Sequence, residues 1–163
     1  MSQNRSQSRI ACCFRGALPR PLAILGAGAI VLLCGCSSFN RDWREAAKTP
    51  TPTNSITGRW EGRWHSDENG HNGALRCIVS HLEGNGGYEA HFRATYLKVA
   101  RFGYKVSLRV TESNQLWHFT GSEDLGALAG GVYDYAGSAS ATNFNATYNS
   151  KYDHGTFEMR RPD

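Results

Sequence analysis

The stretch YKVSLRVT, residues 104–111, alternates apolar and polar side chains without a break. Its even-numbered positions are apolar and its odd-numbered positions are polar. Successive side chains of a β-strand point to opposite faces, so this pattern predicts a strand with one buried face and one solvated face. An amphipathic helix would need a period of 3.6 residues instead.

The same alternation recurs on both sides of this stretch, between residues 56 and 160. The further segments are ITGRWEGRWH (56–65), ALRCIVSH (74–81), AHFRATY (90–96), QLWHFTG (115–121), GGVYDYAG (130–137), NFNATYN (143–149) and GTFEMR (155–160). Turn-forming sequences such as DENGHNG (67–73) and EGNGG (83–87) separate them. No segment has a helical period long enough to cover a sheet.

These about eight short strands indicate an all-β domain over residues 56–163. A sheet with one apolar face must bury that face on itself, in a closed barrel or in a sandwich. Short connections between successive strands favour the barrel. We therefore expect an antiparallel up-and-down barrel of about eight strands, with the sandwich as the alternative.

The predicted inward face is rich in aromatic side chains interleaved with Gly and Ala. Barrels of eight strands can be filled by side chains or can hold one small ligand, and the sequence leaves both open. The barrel-facing candidates for ligand binding are Trp60, Trp64, Phe92, Tyr96, Trp117, Tyr133 and Tyr135.

The N-terminal residues 1–35 have the three-part pattern of a cleaved secretory signal. Four arginines and no acid precede PLAILGAGAIVLL (21–33), and small residues follow it. This apolar run is too short to span a bilayer, which takes about 20 residues.

The end of the run, Leu33-Cys34-Gly35-Cys36, resembles the lipobox of bacterial lipoproteins. By that resemblance, the signal is removed before Cys36, which carries a thioether-linked diacylglycerol and usually a third acyl chain on its amine. Two or more acyl chains anchor a protein stably. Ser37 and Ser38 follow where such families use Asp for inner-membrane retention, so the resemblance implies a cell-envelope protein on the outer membrane, facing the periplasm, if the host has two membranes.

The formal charge of +4 belongs to the signal. Without its four arginines, 14 of the 18 basic residues remain against 14 acidic ones, so we expect no nucleic-acid partner. With Cys36 modified, Cys77 is the only free cysteine left, so we expect no intramolecular disulfide. Cys77 lies among apolar residues and is expected to be a buried hydrophobe.

Residues 36–55 are predicted to be the lipidated N-terminus and a flexible linker. The segment is polar and ends in Thr-Pro-Thr-Pro, although RDWREAAK (41–48) would also suit a short helical turn. Phe39 and Trp43 have two interpretations: they are ordinary linker residues, or their rings lie at a membrane interface.

Gly58-Arg59-Trp60 at the first strand, with Arg160 and Arg161 after the last, is similar to the calycin barrels, which include lipocalins, fatty-acid-binding proteins and avidins. In that group a late basic residue often packs on the tryptophan ring. The resemblance implies a barrel architecture and does not identify a ligand.

Sequence motifs for catalysis or metal binding are weak. HSDENGH (65–71) holds two His and two acids but is better explained as a solvated turn, and no nucleophile elbow or metalloprotease motif occurs. We expect no cofactor, no metal and no enzymatic chemistry. The predicted function is a membrane-anchored binding or interaction module for an envelope protein or glycan. The alternatives are a lipocalin-type carrier of a small apolar ligand and an envelope hydrolase.

Overall fold

The computed structural model describes residues 38–163, apart from residues 83, 85 and 98 and the side chain of residue 128. Eight antiparallel strands form a closed barrel in sequence order, and the last strand pairs with the first. The predicted up-and-down barrel is therefore confirmed. The strands are β1 Gly58–Ser66, β2 Asn72–His81, β3 Tyr88–Tyr96, β4 Ala100–Ser113, β5 Leu116–Asp124, β6 Val132–Ala139, β7 Asn143–Ser150 and β8 His154–Arg160.

The connections are short, as a meander requires. The tightest is the two-residue turn between β4 and β5, where Asn114 and Gln115 have φ values of 52° and 64°. Two consecutive positive φ values match the right-handed twist of the flanking strands and hold β4 and β5 in register.

The alternation seen in the sequence decides which side chains enter the barrel. The predicted inward sets of every strand supply the buried cluster, and Cys77 lies in it with none of its surface exposed. Burial raises the pKa of the Cys77 thiol well above 9, so the thiol stays neutral and packs as a small apolar group.

One end of the barrel, which we call the capped end, is closed by Trp60 and Arg161. The Arg161 guanidinium carbon lies 3.6 Å from the centroid of the Trp60 ring. Its nitrogens donate hydrogen bonds of 2.7 Å to the carbonyl oxygens of Thr57 and Ser55. The Trp60 indole nitrogen donates to the carbonyl oxygen of Ile56 at 2.9 Å. These contacts give the geometry that the calycin resemblance led us to expect.

A helix, α1, spans residues 38–46 and packs on the outer wall of the barrel. Phe39 and Trp43 lie one helical turn apart, on the same face, and are 1% and 9% exposed. The Phe39 ring meets the His91 ring edge-on at 4.9 Å, and Trp43 lies between the guanidinium groups of Arg59 and Arg76, at 5.4 and 5.0 Å.

This docking differs from the flexible linker expected over residues 36–55. The physical reason is that the outer faces of β1 to β3 present cationic and imidazole groups, and two aromatic rings at helical spacing cover them. The rings face the protein and not a membrane interface. Among the described residues, no helical segment has the length and apolar character needed to cross a bilayer. The lipobox residues Leu33 to Cys36 lie outside the described residues.

Candidate functional site

The end of the barrel opposite Trp60, which we call the open end, holds a cavity of about 450 Å³. It lies where the odd-numbered strands end and the even-numbered strands begin. The cavity is lined by Trp64, Ala94, Tyr96, Phe102, Gly103, Tyr104, Leu125, Ala129, Tyr133, Tyr135, Tyr148, Asp153 and Phe157. Most of this lining is aromatic, so we call the cavity the aromatic pocket.

The floor of the aromatic pocket is a stack of rings that fills the middle of the barrel. Phe92 lies beneath the pocket and stacks on Tyr104 at 5.2 Å and on Tyr135 at 6.2 Å between ring centroids. Phe157 contacts Phe92 at 5.5 Å. Packed aromatic rings of this kind hold one another in place, which gives the pocket a rigid base.

Trp64 forms one wall of the pocket and is held there by its own hydrogen bond. The indole nitrogen donates to the carbonyl oxygen of Thr95 at 3.0 Å. The ring stacks on Tyr96 at 6.0 Å, and the Tyr96 hydroxyl is hydrogen-bonded to His71 Nδ1 at 2.9 Å. Gly73 makes this arrangement possible, because a Cβ there would lie 2.7 Å from the Trp64 nitrogen and 1.9 Å from the Thr95 carbonyl oxygen.

The opposite wall comes from β6, β7 and the loop between β5 and β6. Tyr133 lies 6.0 Å from Tyr148 and 6.4 Å from Tyr135, between ring centroids. The loop contains a 3-10 turn at Ala127–Ala129, and three glycines with positive φ surround it. At Gly130 a Cβ would lie 2.8 Å from the Tyr133 hydroxyl, so the glycine lets the loop close over this ring.

Asp153 is the one charged side chain in the described lining of the pocket. Its Oδ1 accepts a hydrogen bond of 2.6 Å from the hydroxyl of Ser66, which is fully buried. Its Oδ2 accepts a longer bond, of 3.3 Å, from the Tyr148 hydroxyl. The carboxylate is therefore fixed in direction at the edge of an otherwise apolar cavity.

Three phenols of the pocket, those of Tyr104, Tyr135 and Tyr148, have raised pKa values and are neutral at neutral pH. Burial raises the pKa of Tyr104 well above 10, and the neighbouring Tyr135 phenol raises it further. Burial also raises the pKa of Tyr135 and of Tyr148, and the Asp153 carboxylate adds to the rise at Tyr148. These hydroxyls carry no charge, and they already have partners: Tyr148 donates to Asp153, and Tyr104 and Tyr135 are hydrogen-bonded to each other.

The mouth of the pocket is widened by an incomplete seam between β4 and β5. Their pairing runs from Ser113–Leu116 at the capped end to Leu108–Gly121 in the middle of the barrel. The open-end half of β4 pairs with β3, and this half carries Phe102 and Tyr104. Leu125 faces them from the β5–β6 loop across the mouth.

The seven aromatic candidates from the sequence divide between the two ends of the barrel. Trp64, Tyr96, Tyr133 and Tyr135 line the pocket, and Phe92 lies directly below it. Trp60 is fully buried at the capped end, and Trp117 lies in the core near the start of β5. The structure therefore does not bring these two tryptophans to the pocket.

Several lining residues were missing from that candidate set. Tyr104, Tyr148 and Phe157 share the apolar alternation of their strands and also line the pocket. Strand direction points to two of them, because Tyr104 lies in the first half of β4 and Tyr148 near the end of β7, both toward the open end, whereas Phe157 lies in the middle of β8. Asp153, Leu125 and Ala129 come from loops, where periodicity carries no information.

The acids and histidines outside the pocket, including those of HSDENGH (65–71), are spread over the surface. Asp134 and Glu158 are exposed on the outer wall, and Asp124 accepts a hydrogen bond from the Gly126 amide at 2.8 Å. His65 Nε2 lies 3.7 Å from Asp67 Oδ1, and His154 Nδ1 lies 3.7 Å from Glu68 Oε2. The described residues contain no group of three or more potential metal ligands.

A larger depression, of about 800 Å³, lies on the outer wall over β4 to β7. Polar or charged side chains make up seven of its thirteen lining residues, namely Ser107, Arg109, Thr120, Ser122, Asp134, Thr147 and Asn149. Specific small-molecule sites are concave and mainly apolar with a few placed polar groups. The aromatic pocket meets that description and the outer depression does not.

The chain matches no protein-family model, no curated protein and no solved structure.

Proposed function

We propose that this protein is a cell-envelope lipoprotein whose barrel binds a small apolar ligand in the aromatic pocket. Acyl chains on Cys36 hold it to the membrane, which is the outer membrane, on its periplasmic side, where the host has two. The barrel acts as a binding module and carries out no chemistry on its ligand.

The observation that carries the ligand-binding proposal is the aromatic pocket itself. Its volume of about 450 Å³ lies in the range of small-molecule sites, about 300–1,000 Å³. The other half of the barrel is filled, from Trp60 at the capped end to Phe92 at the pocket floor. A filled half makes a rigid support, and an unfilled half with aromatic walls leaves room for one molecule.

The charge in the pocket restricts the class of ligand. Asp153 places a carboxylate at the edge of a cavity whose other described lining groups are uncharged. An anionic ligand would meet a like charge in a region of low dielectric constant, where repulsion is stronger than in water. The favoured ligand is therefore a flat apolar molecule that is neutral or positively charged.

A second candidate function is supported by the loops of the open end. Val132 and Tyr152 are 52% and 65% exposed there. Exposed apolar side chains around a cavity are typical of a protein or glycan contact surface. An envelope protein or glycan that binds these loops would cover the pocket mouth. It would therefore block the entry of a small ligand into the pocket.

The ligand proposal is tested with two fluorescent probes that differ by a charge. N-phenyl-1-naphthylamine is neutral, and 1-anilinonaphthalene-8-sulfonate is the same ring system with a sulfonate. The processed protein should bind the neutral probe at least about tenfold more tightly, which corresponds to about 1.4 kcal/mol. Equal binding of both probes, or preference for the sulfonate, would contradict the proposed ligand class.

Tryptophan quenching locates the probe within the barrel. Trp64 lines the pocket, and Trp117 lies in the filled half. Quenching of protein fluorescence by the neutral probe should fall in Trp64→Phe and persist in Trp117→Phe. The reverse result would place the probe elsewhere and remove the support for the aromatic pocket as the site.

The anchor proposal has its own test. Cys36→Ser should leave an unprocessed or soluble protein, whereas Cys34→Ala should be processed normally. The measurement is the mass of the mature N-terminal peptide together with its partition into membranes. An opposite pattern would assign the lipid to the other cysteine, and a bare Cys36 in a processed, native protein would refute the anchor.

A further inference from the structure

We propose that the tip of the β3–β4 hairpin, residues 97–102, rests in the surface of the bilayer that holds the anchor. The open end of the barrel and the mouth of the aromatic pocket then face the lipid. This inference rests on the proposed anchor at Cys36. It goes beyond that anchor because it assigns a membrane-contact surface to the folded domain.

The hairpin tip concentrates the exposed apolar surface of the described chain. Leu97, Val99 and Phe102 are 63%, 81% and 48% exposed. These are three of the six large apolar residues that are exposed in the described part of the chain, and they fall within six consecutive positions. Val132 and Tyr152 lie on the neighbouring loops of the same end, which extends the apolar rim around the pocket mouth.

The position of α1 brings the anchor to this side of the barrel. The helix begins at residue 38, with Phe39 against His91 and Arg93 on the outer face of β3. Cys36 precedes the helix by two residues, a reach of at most about 7 Å for an extended chain. The proposed anchor is therefore within that reach of residue 38, whose neighbour Phe39 packs on β3.

The same strand leads from the docked helix to the hairpin tip. β3 runs from Arg93 beside Phe39 to its end at Tyr96, and Leu97 follows directly. At about 3.3 Å per residue, the tip lies roughly 13 Å from the Arg93 position. A bilayer that reaches residue 36 is thus within a short distance of Leu97 and Val99.

The charges of the tip suit a phospholipid surface. In the sequence Leu97-Lys98-Val99-Ala100-Arg101-Phe102, two cations lie among four apolar residues and no acid occurs. Arg101 is exposed. Apolar side chains that enter the acyl boundary, with basic groups beside them at the level of the phosphates, are the pattern of interfacial membrane contacts.

A second copy of the chain could also cover an apolar tip, and the anchor is what favours the bilayer. Every anchored molecule carries its own lipid surface at a distance that the docked helix fixes, whereas a second copy has to be recruited. Phe102 belongs both to the rim and to the pocket lining. The bilayer contact would therefore let an apolar ligand move between the membrane and the pocket without crossing water.

The test uses the full-length, processed protein reconstituted into vesicles of phosphatidylethanolamine and phosphatidylglycerol. A polarity-sensitive nitrobenzoxadiazole dye is attached to Val99→Cys at the tip or, as the matched control, to Leu116→Cys at the capped end, where Leu116 is 38% exposed. Cys77 is buried with a raised pKa and does not compete for the dye. A nitroxide on the lipid chain, close to the headgroup, serves as the quencher.

The Val99 dye should shift its emission to the blue and lose about half of its fluorescence to the lipid quencher. The Leu116 dye should be unaffected. Flotation with the vesicles and the mass of the N-terminal peptide report on the anchor separately. An acylated protein that floats without quenching at Val99, or with equal quenching at both positions, would overturn the bilayer contact and leave the anchor standing.

Two other outcomes also decide the matter. Energy transfer between labelled copies in place of lipid quenching would show that the tip contacts a second chain, which overturns the proposal. A protein that carries no acyl chain and does not float would refute the anchor and the bilayer contact together.

Discussion

The guanidinium carbon of Arg161 lies 3.6 Å from the ring centroid of Trp60, and this contact joins the first strand of the barrel to the segment after the last. Trp60 belongs to the first strand and Arg161 follows the last. The cation covers the indole face while its nitrogens bind backbone carbonyls of the segment that enters β1. Burial lowers the pKa of Arg161 to about 10, so the group stays charged at neutral pH. The contact closes the filled half of the barrel, on which the open half depends.

Removal of this cap should destabilise the barrel. Arg161→Leu loses the stacking and two short hydrogen bonds of a charged donor, which should lower the free energy of unfolding by about 3 kcal/mol. Arg160→Leu is the matched control, because Arg160 is exposed at the end of β8. Urea unfolding measures both. Equal losses in the two variants would show that the stacked position has no special role.

The docked helix should contribute to stability as well. Trp43→Ala removes a buried ring from between two guanidinium groups, at an expected cost of about 2–4 kcal/mol. Arg44→Ala changes the neighbouring exposed residue and should cost less than about 0.5 kcal/mol. Proteolysis of residues 38–46 should quicken in the first variant only. Rapid cleavage of this segment in the unaltered protein would contradict the docking.

The helix contact should weaken in acid. Burial, followed by the charge of Lys105, lowers the pKa of His91 below 6.5, although Asp42 and Glu89 act in the opposite direction. As the pH falls, the imidazole of His91 is therefore protonated in the unfolded chain at a higher pH than in the folded protein. Folding stability falls as the pH drops below about 6.5. Between about pH 7.5 and about pH 5, the native protein should lose more stability than His91→Gln.

His118→Gln serves as the control for this comparison, because His118 is exposed on β5. Urea unfolding at the two pH values gives the differences. A loss in His91→Gln as large as that in the native protein would show that His91 does not carry the effect.

Asp153 should decide between neutral and anionic ligands. Asp153→Asn keeps an oxygen that accepts hydrogen bonds from Ser66 and removes the negative charge. The affinity for the anionic probe should rise by about three- to tenfold, and that for the neutral probe should change little. Asp134→Asn, on the exposed outer face of β6, is the control. An unchanged ratio of the two affinities in Asp153→Asn would remove the electrostatic basis of the proposed selectivity.

The barrel could be predicted from the sequence because its determinant is local. Alternation in stretches such as residues 104–111 assigns each side chain to the inside or the outside, and the turns fix the order of the strands. The docked helix could not be predicted in this way. Phe39 and Trp43 are two apolar residues in a polar segment, and their partners Arg59, Arg76 and His91 are distant in the sequence.

The aromatic pocket could be predicted only in part, because alternation gives the face of a residue and not its height in the barrel. Trp60 and Trp64 share the inward face of β1, yet they lie four residues, or about 13 Å, apart along the strand. One closes the capped end and the other lines the pocket. Strand direction would have separated them, since late residues of β1 and early residues of β6 meet at the same end.

The most direct test of the central claim, that the aromatic pocket binds a small apolar ligand, is the dissociation constant of the neutral naphthylamine probe in a matched pair of variants. Ala129→Trp places a large side chain in the pocket lining, and Ala136→Trp places the same side chain on the outer wall. We expect roughly tenfold weaker binding in Ala129→Trp and no change in Ala136→Trp. Equal affinity in both variants would contradict the account.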